Sequence, residues 1–221
     1  MKWASAISTD DAIHRAVDEL AASLDEQLGG SEPDLVVTFV SPHHKAVWDV
    51  LPNLLAERYP SAVRLGCSGG GTVGAGLEVE DRAALAAAAA VLPGVAVDGF
   101  VLAPEDVPTP EEAERFWHGR FGGDDDPSAV LLLPEPFSCS VESLIGGLEN
   151  AHPQTVVFGG LASGARRAGS HLVFLGGDAA AEGAVGVALR GEVVVDTLVA
   201  QGCRPVGVPM FVTGVDGTMI T

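Results

Sequence analysis

The residues with most chemical potential lie in one run, Gly66-Cys67-Ser68-Gly69-Gly70-Gly71-Thr72-Val73-Gly74, which follows an apolar segment from Ala62 to Leu65. Glycine lets a backbone adopt positive φ and lets a second molecule approach the main chain. Such a loop at the end of a buried strand is a common ligand position in open α/β sheets, and is also simply a tight turn between packed strands. Gly66 to Gly70 fits G-x-S-x-G, the pattern of a hydrolase with Ser68 as nucleophile. That chemistry needs a strand-to-helix turn and a later acid and histidine; His118, His152 and His171 follow, none in a recognisable setting. Cys67 offers a thiol among backbone amides, reactive if its pKa is lowered and inert if it is buried core. Gly69, Gly71 and Gly74 fit G-x-G-x-x-G, but a dinucleotide site needs a helix there, and Ala75 to Val79 reads as strand.

Other candidates are scattered. Ser41-Pro42-His43-His44 lies between a strand and a helix, where a histidine could hold a metal or haem iron, bond a ligand, or face solvent. A second glycine loop, Gly159-Gly160-Leu161-Ala162-Ser163-Gly164, again follows a strand and is trailed by Arg166-Arg167, which either neutralises an anionic ligand or lies exposed. Arg204 in Gln201-Gly202-Cys203-Arg204-Pro205 either pairs with an acid or points into a cleft. Asp124-Asp125-Asp126 lacks the spacing of a calcium loop and reads as a solvated turn.

The elements that position these residues follow from periodicity. Lys2 to Ile7 reads as a strand, with Ser8, Thr9 and Asp10 capping a helix that carries Ile13, Val17, Leu20, Leu24 and Leu28 and stops at Gly29-Gly30. Leu35 to Val40 is a strand of the kind buried on both faces. A helix from Ala46 to Leu55 contains Pro52, which predicts a kink or a late start. Thr72 to Val79 reads as one strand. Arg82 to Leu92 is alanine-rich and helical by propensity, but Pro93-Gly94 and the strand-like Val95 to Leu102 favour a strand meander. Thr109-Pro110-Glu111-Glu112 predicts a helix start. Ala129 to Leu133, a helix through Val141, Leu144, Ile145 and Leu148, and a strand from Gln154 to Phe158 repeat the first pattern. Strands at His171–Leu175, Ala184–Leu189, Val193–Ala200 and Val206–Val212 follow, with a hairpin turn at Gly191-Glu192. The order recurs with an offset of about ninety residues, which predicts an α/β fold of mixed sheets and flanking helices. It would be built from two similar β-α-β-meander units, residues 1–103 and 109–213, with both glycine loops facing one cleft.

Composition narrows the partners. The 221 residues carry 30 Asp+Glu against 12 Lys+Arg, a net charge of −18, and a field of that sign repels nucleic-acid backbones and anionic membrane surfaces. Three separated cysteines fit neither a disulfide framework nor a zinc site. No apolar run reaches membrane-spanning length and no leader pattern opens the chain, so the expected compartment is the cytoplasm.

Taken together, Lys2-Trp3-Ala4-Ser5-Ala6-Ile7-Ser8, Phe39-Val40-Ser41-Pro42, Leu65-Gly66-Cys67-Ser68, Leu92-Pro93-Gly94, Phe158-Gly159-Gly160, Gly183 to Leu189 and Gln201-Gly202-Cys203-Arg204-Pro205-Val206-Gly207 resemble the N-terminal half of a FIST domain (F-box and intracellular signal transduction). The resemblance implies a non-catalytic sensory input domain for small ligands, with amino acids the proposed class. It also implies coupling to a C-terminal FIST half, which this chain is expected to lack, or to a separate signalling partner. The expected ligand site is Ser41, His43, Cys67, Ser68, Gly69, Gly70, Gly159, Gly160 and Arg204, with no cofactor and no metal. The alternatives are a haem-based nitric-oxide sensor using His43 or His44 and, further off, a hydrolase using Cys67 or Ser68.

Overall fold

The computed structural model describes residues 1–122, 126–198, 206–208, 211–216 and 219–220. Chain order is β1 (Lys2–Ser8), α1 (Ile13–Leu28), β2 (Leu35–Val40), a 3-10 turn (Pro42–Val47), α2 (Leu51–Arg58), β3 (Val63–Ser68), β4 (Gly71–Gly74), β5 (Leu77–Glu80) and β6 (Leu85–Val91). There follow β7 (Val95–Leu102), α3 (Ala113–Phe121), β8 (Ala129–Pro134), α4 (Val141–Ala151), β9 (Val156–Gly159), β10 (Val173–Leu175), β11 (Asp178–Ala180), β12 (Ala184–Gly191), β13 (Val215–Asp216) and β14 (Met219–Ile220).

Two mixed sheets carry the fold. One runs β1-β6-β2-β3-β10-β11, the other β7-β12-β8-β9. Each has one parallel pair (β2 with β3, β8 with β9), and its other pairings are antiparallel. The order β1-β6-β2-β3 has the same connectivity as β7-β12-β8-β9, so β7 is the counterpart of β1. The structural division therefore falls between β6 and β7, at the Pro93-Gly94 turn, and not after Leu102. The hairpin β10–β11 departs from this symmetry: it crosses from the second half and pairs with β3 of the first sheet.

Strand alternation sorts the apolar residues into three layers. Leu20, Leu24 and Leu28 of α1 and Leu51 and Leu55 of α2 pack on the outer face of the first sheet. Trp117, Phe121, Leu144 and Leu148 pack on the outer face of the second, with Phe100 edge-on to Trp117 at 5.8 Å. Between the sheets lie Leu35, Val37, Leu65 and Cys67 on one side and Leu131, Leu133, Val185 and Val187 on the other. The result is an α-β-β-α arrangement of layers.

β6 is a strand, as the flanking turn argued against alanine's helical propensity: it pairs with both β1 and β2. Pro52 falls in the first turn of α2, and the chain before it forms the separate 3-10 turn, the late start expected of a proline. Asp10 does not cap α1: the N-cap position is Ala12, with no side-chain cap hydrogen bond, and Asp10 Oδ1 accepts from the Ala12 amide at 2.7 Å in the turn before the helix.

Four further expectations need correction. Thr72–Val79 is two strands, β4 and β5, because Ala75 and Gly76 both take positive φ (48° and 76°) and reverse the chain. The Thr109–Glu112 segment is an isolated turn closed by Glu112 N–H to Thr109 O (3.0 Å), and α3 begins at Ala113. No hairpin follows Gly191-Glu192: β12 already has β7 on one side and β8 on the other, so a returning strand finds no free edge. Accordingly residues 193–198, 206–208 and 211–212 are irregular and not strand.

Candidate functional site

The two glycine loops do come together. Ser163 N–H donates to Ser68 O (2.9 Å), and Gly70 N–H donates to Ser163 Oγ (3.0 Å). Gly164 sits at φ 91°, and a Cβ there would lie 2.5 Å from the Pro42 ring, so this contact of three chain segments requires glycine. The loops, however, fill one another. Ser68 is fully buried; its Oγ accepts from Leu172 N–H (3.2 Å) and its own N–H donates to Leu172 O (2.9 Å). Gly69 N–H donates to Val40 O (2.9 Å). Ser41 is buried, and its Oγ accepts from Ala84 N–H at 3.0 Å, tying the end of β2 to the approach to β6.

The candidate nucleophiles sit in settings that suppress reactivity. Burial pushes the Cys67 thiol up to about 12. At pH 8 roughly one part in ten thousand would be thiolate, from the ionisation equilibrium alone. Replacing Cys67 by serine is therefore expected to leave the number of thiols that react rapidly with a disulfide reagent in the native chain unchanged. In urea, which exposes the buried Cys139 as well, the unreplaced chain should show one more reactive thiol than Cys67→Ser. Rapid loss of one native thiol in Cys67→Ser would show an accessible cysteine.

Of the histidines that open the 3-10 turn, His43 is exposed and His44 is buried, with Nε2 lacking any partner among the described residues. Burial, the dominant influence, lowers the His44 pKa from its ordinary 6.5; Asp11 and Asp10 oppose it. The unfolded chain then binds a proton near pH 6.5 that the folded chain refuses, so stability falls as pH drops below that value. His44→Phe, which keeps the bulk, is expected to flatten this part of the dependence. Urea midpoints measured from pH 7.5 to 5.5 on both proteins test it, and identical slopes would refute it. Haem does not fit these residues: the buried Nε2 of His44 is closed off by protein, and neither histidine lines the large cleft described below. Among the described residues no three His, Cys, Asp or Glu gather as a metal site.

One cluster escaped sequence reasoning. Glu135, at the end of β8, is fully buried. Its Oε1 meets His171 Nδ1 at 2.7 Å, while Oε2 accepts from Phe137 N–H (3.1 Å), Ser138 N–H (2.8 Å) and Ser138 Oγ (2.7 Å). His171 Nε2 accepts from Ala165 N–H (3.3 Å), which assigns the Nδ1–H tautomer. Phe137 stacks on the imidazole at 5.7 Å. An acid and a histidine are thus paired, but the ring's second nitrogen is spent on the backbone, and the pair clamps the second glycine loop to the end of β8. The available signal was a lone carboxylate, Pro134-Glu135-Pro136, directly after a wholly apolar strand.

The open space lies beside the loops. A cleft of about 1010 Å³ separates the two sheets, lined by Trp3 of β1, Leu35, Val37 and Phe39 of β2, Ala88 of β6, Leu131 and Leu133 of β8, Phe158 of β9, and residues 193–198. Its existence traces to sequence. Trp3, Ala90 and Leu35 share one cross-strand row and Ser5, Ala88 and Val37 the next, so alanine and serine leave the inner face of this edge without bulk. Of the expected site residues, Gly159 and Gly160 line the cleft; Ser41, His43, Cys67, Ser68, Gly69 and Gly70 do not. Arg204 lies outside the described residues.

Comparison with known proteins agrees with this architecture's sequence markers. The FIST N domain model matches residues 34–221. An uncharacterized protein of Mycobacterium tuberculosis is 35% identical over 226 residues, covering 100% of this chain and 56% of its own length. An uncharacterized protein of Mycobacterium bovis is 35% identical over 215 residues, covering 97% of this chain and 53% of its own. The chain thus spans about half the length of the curated relatives it matches. With the family match running from the start of β2 to the last residue, the chain belongs to the FIST N domain family, generally a signal-transduction sensory domain.

Proposed function

We propose that this domain is a non-catalytic sensory input module whose small-molecule ligand occupies the cleft between the two sheets. The observation that carries the reading is the cleft itself, about 1010 Å³ with Gly159 and Gly160 at its edge. Ligand pockets are mostly apolar with a few polar groups and range up to roughly 1,000 Å³. The mechanism is a population shift: a ligand that favours one spacing of the sheets biases whatever surface depends on that spacing. The burial of Cys67 and Ser68 supports binding over hydrolysis.

The output partner in this reading is the C-terminal half of the family's domain or a separate signalling protein. Val206 and Phe211, outside the cleft, are 90% and 91% exposed, apolar side chains that such a partner would cover. Among the described residues no helix is long and apolar enough to cross a membrane.

Amino acids are the finer form of the proposal. An ammonium could meet Asp196, the one charged side chain among the described lining residues, but a carboxylate would need a cation, and Arg204 is the residue offered for it. A thermal-shift screen of amino acids and other metabolites tests the reading: binding raises the midpoint by an amount set by RT ln(1 + [L]/Kd). A ligand whose shift survives unchanged when Ala88 is replaced by phenylalanine does not sit in the cleft, and that result would end this proposal.

A further inference from the structure

We infer that the inter-sheet cleft selects uncharged, chiefly aliphatic amphiphiles: an alkyl chain ending in a hydroxyl or amide. The inference rests on the reading of the cleft as the ligand site and adds the ligand's chemistry. Leu35 and Val37 of β2 form one wall and Leu131 and Leu133 of β8 the other. Ala88, half-buried in a strand otherwise closed in on its outer face, leaves the floor open. Among the described lining residues Asp196 has the only charged side chain, and it is an acid in a chain of net charge −18. A carboxylate head would find no cationic side chain among those described residues and would enter against that field, whereas a hydroxyl needs only a main-chain acceptor. Gly159 and Gly160 carry no side chains and are exposed, so a polar head can reach their peptide groups.

Displacement of the neutral dye Nile red from the intact chain tests this. The dye is expected to bind saturably, one per chain, and to be displaced by 1-hexanol, 1-octanol and 1-decanol with affinity rising about fourfold per methylene, the increment for burying one CH₂. Decanoate at pH 8 is expected to bind at least tenfold more weakly than 1-decanol. Ala88→Phe, which fills the floor, should weaken 1-decanol at least tenfold with an unchanged circular-dichroism spectrum. Should that variant fail to fold, Val195→Asp, on the irregular lining segment, carries the same expectation. Equal binding of decanoate, no dependence on chain length, or 1-decanol affinity unchanged in a folded variant would overturn the inference. If instead leucine or another amino acid raises the melting midpoint of the wild type but not of Ala88→Phe, and the alcohols do nothing, the aliphatic class is wrong while the cleft stands as a ligand site. If neither kind of molecule acts, both fail.

Discussion

Replacing Glu135 by alanine is expected to lower unfolding stability by about 3–5 kcal/mol, the usual loss when one member of a buried, hydrogen-bonded pair is removed. Four groups depend on that carboxylate: the His171 ring, the amides of Phe137 and Ser138, and the Ser138 hydroxyl. The His171 ring cannot turn to water, since Glu135 is 0% and His171 3% exposed. The hydroxyl of Ser138 also accepts from Gly183 N–H (2.8 Å), so the loss propagates to the start of β12. Glu135→Gln keeps the shape and part of the bonding, and should cost about 1–3 kcal/mol, the penalty for leaving one buried donor or acceptor unsatisfied. Urea unfolding of both variants measures this. Amide exchange adds a local readout: Ala165 and Ser163, held by His171 and the first loop, should lose protection first. An alanine variant within half a kcal/mol of wild type, a roughly typical bound for an inconsequential surface change, would mean that the clamp contributes nothing.

Gly66→Ala carries the second large effect. Gly66 lies in β3, fully extended, and its constraint is space. A Cβ would collide with the Thr38 carbonyl of β2 and stand 2.7 Å and 2.8 Å from two atoms of the Phe174 ring, which covers the glycine from β10. Overpacking costs about 1–3 kcal/mol when side chains alone must move. Here one neighbour is backbone, so the upper end of that range is expected, with a lowered melting midpoint. Phe174→Leu in the same chain should recover only part of the loss, because it relieves the ring contact and not the carbonyl contact. Full recovery would show that Thr38 can yield.

These two positions also mark where sequence reasoning stopped. Gly66 stands in the glycine-rich run that drew attention as a ligand loop, yet its role is to let an aromatic ring and a neighbouring strand close in. Glu135 drew no attention, because its partner His171 is distant in the chain. The alanines of β6 were ambiguous in propensity; the Pro93-Gly94 turn after them was what argued for a strand. The missing strands after Gly191 could not be anticipated, since only the completed sheet shows both edges of β12 occupied.

The amino-acid sequence by itself determined the α/β class, the recurrence of one strand-helix-strand order, the positions of the two glycine loops and the family to which the chain belongs. Each of these is written in local periodicity, turn chemistry or residue order. Tertiary structure alone decided that the loops seal each other, that the open volume lies between the sheets, and that Glu135 finds His171. Those outcomes depend on how strands pair and which faces meet, and such long-range choices are made by packing, whose partners have no fixed separation along the chain.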